Sequence, residues 1–151
     1  MGQSSVFTAA TSEGRYMLDE YPIDDVPTPD PSYDPSEVIT IQIDGLATND
    51  DPFDNAGIAT AYNFASPANR RSTGPFTRFL KMVTGPQYAP MVDHVEATTE
   101  PIQQDGHEAK QHVTLTGPDG RTVTYLFGLS DDRSGPLDEC WLTDRVVTVE
   151  S

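Results

Sequence analysis

The sequence predicts an α+β domain: three N-terminal helices packed in a strongly curved, four-stranded antiparallel sheet. Three observations carry this expectation. Apolar residues recur at helical spacing between residues 35 and 83. From His94 onward the period changes to two. The period-two segments are separated by Asp-Gly turns, which join antiparallel neighbours. Helices first and strands afterwards is an α+β order. A sheet that wraps helix 3 and the hairpin of helices 1 and 2 leaves a cone with a pocket inside.

Helix 1 is expected over 35–48. Asp34 suits the cap, Pro35 the first helical position, and Glu37 lies three residues after the cap. Ile39, Ile43 and Leu46 then form one stripe. The break NDDPFDN lacks the ligand spacing of a calcium loop, because Pro52 and Phe53 stand at ligand positions. Helix 2 is expected over 54–65, with Ile58, Ala61, Tyr62 and Ala65 on one face, until Ser66-Pro67 ends or kinks it. A short helical turn follows over 68–73. Gly74-Pro75 restarts the chain into helix 3, whose stripe is Phe76, Phe79, Leu80 and Val83. Arg78, Lys81 and Met82 face the other way.

The first strand alternates Val95, Ala97 and Thr99 against His94, Glu96 and Thr98, and ends at the hairpin signal Gln104-Asp105-Gly106. The second alternates Gln111, Val113 and Leu115 against His112, Thr114 and Thr116. After Pro118-Asp119-Gly120 comes the clearest strand, with Val123, Tyr125, Phe127 and Leu129 on one face. Residues 131–136 are a looser connection, and the last strand is expected over 137–149. Residues 1–35 read as an acidic, Pro-rich, disordered tail before a domain at 36–151, with five Pro between Tyr21 and Pro35. A competing reading lays Tyr16, Met17, Leu18, Tyr21 and Ile23 as a strap on the domain or on a partner.

The chain has 151 residues, 24 acids against 9 bases, and a formal charge of −15. The acidity is not confined to the tail: residues 1–35 carry a net −6 and residues 36–151 a net −9. Only Lys81 and Lys110 are lysines. This resembles adaptation to molar intracellular salt, as in halophilic archaea, where screening over about 3 Å at 1 M removes self-repulsion. The charge excludes general binding to nucleic acid or anionic membranes. No apolar run reaches the roughly 20 residues of a membrane span. The N-terminus carries neither a basic n-region nor an apolar h-region, and MGQSSV has Val6 where a myristoylation site needs Ser or Thr. A cytoplasmic protein is expected. The lone Cys140 excludes an intramolecular disulfide and any multi-Cys metal site.

One stretch departs from this acidity. No Asp or Glu lies between Asp54 and Asp93, and four of the nine bases do. The residues ATAYNFASPANRRSTGPFTRFLKMV, then QYAPMVDH, then DECWLTD resemble a family of short uncharacterised proteins. Its pattern is ASP.N…TGP..RF..MV…Y.P, and it is related to the nuclear-transport-factor-like, or cystatin-like, cone fold. The resemblance covers about residues 36–149 and implies that fold, which also houses ketosteroid isomerase, scytalone dehydratase and polyketide cyclases. It implies no catalytic residue.

Candidate chemistry clusters in and around that stretch. Arg70 and Arg71, near a short helix, offer a guanidinium pair for carboxylate or phosphate, with Asn69 beside them. Arg78 and Lys81 extend them into an interaction patch. The competing readings are surface arginines paired with acids elsewhere, or a complementary homodimer face. Tyr62, Tyr88, His94 and Trp141 are candidates for the cone mouth, or are ordinary core and rim aromatics. His94 with Asp144 is the acid–base candidate, since Asp93 beside it on a strand points the other way. His107 and His112 are five apart, one too many for the His-Glu-x-x-His zinc motif. No metal and no cofactor are expected. The sequence therefore favours a small-ligand-binding or dimeric interaction module. The alternative is an isomerase, lyase or hydrolase using acid–base chemistry on a small organic molecule.

Overall fold

In the computed structural model, which describes residues 22–132 and 137–149, Asp34 opens helix α1 (Pro35–Ala47) with a reciprocal cap. Its Oδ1 accepts from the Glu37 amide at 2.8 Å, and its own amide donates to Glu37 Oε1 at 2.9 Å. The buried stripe of α1 is Val38, Ile39, Gln42, Ile43 and Leu46. Helix α2 (Ala56–Asn63) is buried almost throughout. It crosses α1 backbone to backbone: a Cβ at Gly57 would lie 2.3 Å from the Gly45 carbonyl oxygen. Only glycine allows that approach.

Helix α2 is shorter at both ends than the expected 54–65. At its start the loop side chains are spent on the backbone. Asp50 Oδ1 accepts from the Asn55 amide, and Asn49 Oδ1 accepts from Ile58. At its end Phe64 and Ala65 leave the helix to meet a strand. The short turn expected over 68–73 is a full helix, α3 (Pro67–Thr73), and α4 (Phe76–Val83) follows. Among the described residues the count is therefore four α-helices, not three. A 3-10 turn, Ala89–Met91, leads to the sheet.

The strands are β1 (Glu96–Thr99), β2 (Gln103–Asp105), β3 (Glu108–Thr116), β4 (Thr122–Ser130) and β5 (Leu142–Val149). All pairs are antiparallel, in the order β1-β3-β4-β5, and β2 also pairs with β3. The sheet is open. Five strands replace the expected four because the first is broken at Pro101, which has no amide to donate. The Glu100 carbonyl accepts from Gln111 Nε2 instead. Pairing resumes with one extra residue on the β1–β2 side: four steps from Thr99 to Gln103 oppose three from Val113 to Lys110. The last strand starts later than expected. Residues 137–139 form a turn with Glu139 at φ 72°, and Cys140 and Trp141 are buried ahead of β5.

The expected inward faces of β3 and β4 are the buried ones, whereas β1 is exposed throughout and Val95 is 69% exposed. Val113 and Leu115 of β3 and Tyr125, Phe127 and Leu129 of β4 join one core with Ile39, Leu46, Ile58 and Phe64, and Gln111 of β3 is buried too. Tyr16, Met17, Leu18 and Tyr21 lie outside the described residues, as does most of the tail expected to be disordered. From Pro22 to Tyr33 the chain runs against α2. The fully buried Asn63 holds it: Oδ1 accepts from the Ile23 amide, and Nδ2 donates to the carbonyls of Ile23 and Pro27. Ile23 and Tyr33 pack on the core.

One ion pair ties the β2–β3 turn to the end of β4. His107 Nδ1 lies 2.8 Å from Asp131 Oδ1, and the Asp131 amide donates to the His107 carbonyl. The hydrogen bond to Asp131, then the charges of Asp131, Asp132 and Asp138, raise the His107 pKa above its ordinary value. A raised histidine stabilises the fold fully below the ordinary imidazole pKa of about 6.5, and the contribution is lost as pH rises through the raised value. At constant ionic strength, the melting temperature should fall as pH rises from about 6 to about 9. The fall should be smaller in His107→Gln. Parallel pH profiles of the two proteins would contradict this.

Candidate functional site

The site is built around Thr143, near the start of β5. Its amide donates to the Phe64 carbonyl at 2.7 Å, and its carbonyl accepts from the Ser66 amide at 2.8 Å. This is a parallel bridge between Ala65 and Thr143 on the edge of the sheet. The same carbonyl accepts from Asn69 Nδ2 at 3.1 Å, and Thr143 Oγ1 accepts from Gln42 Nε2 at 2.9 Å. The end of α2, the start of α3 and the middle of α1 are thereby tied to one strand residue.

The motif residues serve this joint. Ser66 leaves α2, and its Oγ accepts from the Asn69 amide to cap α3, with Pro67 in the first helical position. Thr73 Oγ1 returns to the Asn69 carbonyl. Gly74 turns the chain at φ 85°, a conformation that favours glycine, with the Arg78 stem packed over it. Phe79 and Val83 of α4 enter the core. The Tyr88 hydroxyl donates to the Val146 carbonyl on β5 at 2.7 Å. Pro90 packs so tightly on Gly117 that a Cβ there would lie 2.9 Å from Pro90 Cα.

Between these elements lies a cavity of about 310 Å³. Leu46, Phe79, Val83, Met91, Phe127 and Val146 supply apolar wall, and Gln42, Asn69, Tyr88 and Thr143 supply polar atoms. Ala61, Ala65 and Ala68 make room for it by their size. Asp144 and Arg145 also line it. Asp144 is the extra residue of a bulge: Leu129 pairs with Thr143 and Gly128 with Arg145. Bulges re-aim side chains, and here Asp144 is half-buried while Thr143 is buried.

The phenols beside the cavity are not acids near neutrality. Tyr88 and Tyr125 stack with ring centroids 5.9 Å apart. Burial raises the Tyr88 pKa, and burial above all pushes Tyr125 up to about 12. Tyr125 donates to the Gln87 carbonyl.

The structure separates the residues singled out from the sequence. Asn69, Tyr88 and Asp144 share the cavity. Tyr62, Arg70 and Arg71 border a shallow groove with Pro67, Gly74 and Pro75. Tyr62 is buried between the edges of Phe76 and Phe79, at 5.5 and 5.3 Å between centroids. Arg70 Nη1 donates to the Ala65 carbonyl at 2.7 Å. Arg71, Arg78 and Lys81 are exposed, with no ion-pair partner among the described residues. Trp141 belongs to the core. His94 is 8% exposed, with Nδ1 2.8 Å from the Met91 carbonyl, and lies outside the cavity lining. Asp93 stands at φ 56° and accepts from the Asn49 amide, so it closes α1 rather than facing His94.

Most of the cavity lining escapes the sequence reading, Thr143 and Gln42 above all. Gln42 falls on the apolar stripe of α1 between Ile39 and Ile43, and a polar residue in that stripe is the signal that would have marked it. Met82, expected on the outward face, reaches the cavity rim while 38% exposed.

The chain matches a domain of unknown function, DUF4864, over residues 34–149, and it belongs to that family. No curated protein and no solved structure matches it.

Ser66→Ala removes the α3 cap and should cost about 1 kcal/mol. Asn69→Ala should cost a similar amount, about 1 kcal/mol, by removing the Nδ2 donor to the Thr143 carbonyl. Because both act through one joint, the double variant should depart from additivity by about 0.5 kcal/mol or more. Denaturant melts of the four proteins measure this, and additive losses would show that cap and strand contact are independent.

Proposed function

We propose that this chain is a small-ligand-binding module that takes an organic molecule into the cavity between α1, α3, α4 and β5. The observation that carries this reading is a cavity of about 310 Å³ with an apolar wall and a few fixed polar atoms, the usual make-up of a small-molecule site. The helices-then-meander order is consistent with a cone of the nuclear-transport-factor-like type, with the cavity at its mouth. Binding is favoured over acid–base turnover by where the ionisable groups lie. His94 is held on a backbone carbonyl away from the lining, and Asp144 reaches the cavity without it. The exposed cations of α3 and α4 are the face on which a second copy or an acidic partner would dock.

The hydrocarbon probe diphenylhexatriene tests the cavity without engaging any polar atom. Its fluorescence should rise saturably with the protein. Ala68→Trp should weaken binding about 10-fold or more, since Ala68 lines the cavity yet is exposed and a large side chain there blocks the space without entering the core. Equal binding by both proteins would overturn the reading.

The acidic surface supports a home in a cytoplasm of molar salt. The melting temperature should then rise as KCl goes from about 0.1 M to about 3 M, as like charges are screened. An unchanged melting temperature would contradict this.

A further inference from the structure

The buried end of the cavity carries chemistry that its apolar wall does not reveal. Gln42 is 3% exposed and lines the cavity from α1. Its amide orientation follows from its partners. Nε2 lies 3.2 Å from the Val38 carbonyl, which can only accept, so the nitrogen must face it. The second Nε2 hydrogen goes to Thr143 Oγ1 at 2.9 Å. Both donors are spent. Gln42 Oε1 has no donor facing it among the described residues. A buried carbonyl oxygen without a partner is costly, and native structures rarely leave one so. Thr143 Oγ1 accepts from Gln42, so its own hydrogen remains to be given. It too meets no acceptor among the described residues. The cavity thus offers one acceptor and one donor on adjacent side chains. Neither carries a charge.

Resting on the binding reading above, we infer that the cavity selects a neutral amphiphile whose buried end is a hydroxyl or carboxamide, donating to Gln42 Oε1 and accepting from Thr143 Oγ1. A carboxylate in the same place would set its lone pairs against those of Gln42 and would be stripped of water with one hydroxyl to compensate. An ammonium would gain the Gln42 acceptor. Of the acids, only the half-buried Asp144 lines the cavity, next to the bulge, and its exposure leaves it well solvated. The uncharged end matches both groups at once, and a site built this way discriminates against ligands that leave its polar atoms unpaired.

The test uses four eight-carbon probes that differ only in the head: 1-octanol, octanamide, octanoate and octylammonium. Each displaces diphenylhexatriene from the full chain at about pH 7.5 and fixed KCl. The alcohol and the amide should act at concentrations at least about 10-fold lower than either ion. Gln42→Leu puts an apolar side chain in place of the amide and should erase that preference. Gln42→Met repeats the comparison at closer volume, and equal potency of the four probes on the unsubstituted chain overturns the inference even if neither variant folds. Equal displacement by all four probes, or a preference for an ion, overturns the inference and leaves cavity binding standing. So does a preference that survives Gln42→Leu. Failure of diphenylhexatriene to bind, with no thermal shift from any of the four, overturns both.

Discussion

Thr143 exchanges backbone hydrogen bonds with both sides of Ala65, and through that bridge the helical half of the chain is fastened to the edge of the sheet. An edge strand otherwise presents open donors and acceptors. Here the chain leaving α2 satisfies two of them and then turns at once into α3. The bulge at Asp144 belongs to the same joint, because the strand must swing to face Ala65 while its outer half stays in register with β4. The cavity follows from this placement. Ala61, Ala65 and Ala68, between the helices and β5, leave space that larger residues would fill.

Side-chain amides do much of the remaining joining. Asn63 holds the segment from Ile23 to Pro27 on α2. Asn49 links the end of α1 to the start of α2, and Asn69 and Gln42 converge on Thr143. Arg71, Arg78 and Lys81, by contrast, have no carboxylate partner among the described residues despite 24 acids in the chain. Neutral hydrogen bonds are not weakened by a short Debye length as exposed ion pairs are.

Much of the fold was legible in the sequence. The Asp34 cap, the helical stripes and the inward faces of β3 and β4 follow from periodicity and local chemistry, and each is seen. The misread end of α2 depended on a distant partner. α2 ends early because Phe64 and Ala65 are claimed by a strand some eighty residues away, and no local signal announces that bridge. The first strand breaks because Pro101 cannot donate. The site was harder still. Residue type drew attention to the arginines, to His94 and to Trp141, yet the cavity is made by alanines that are small and by Gln42, hidden in an apolar stripe. The signature ASPANRRSTGP stood out for its composition. In the structure it is the joint that makes the cavity possible: Arg70 turns back onto the Ala65 carbonyl, and Arg71 faces outward.

The account stands on the bridge at Thr143 and on the cavity it closes. Native-state hydrogen exchange at the Thr143 and Ser66 amides, with and without 1-octanol, addresses both at once. The account predicts that the two amides exchange slowly, with similar opening free energies, and that 1-octanol slows both further, because a ligand bound to the closed form raises the cost of opening. Exchange of either amide at the rate of an exposed loop, indifferent to 1-octanol, would contradict it.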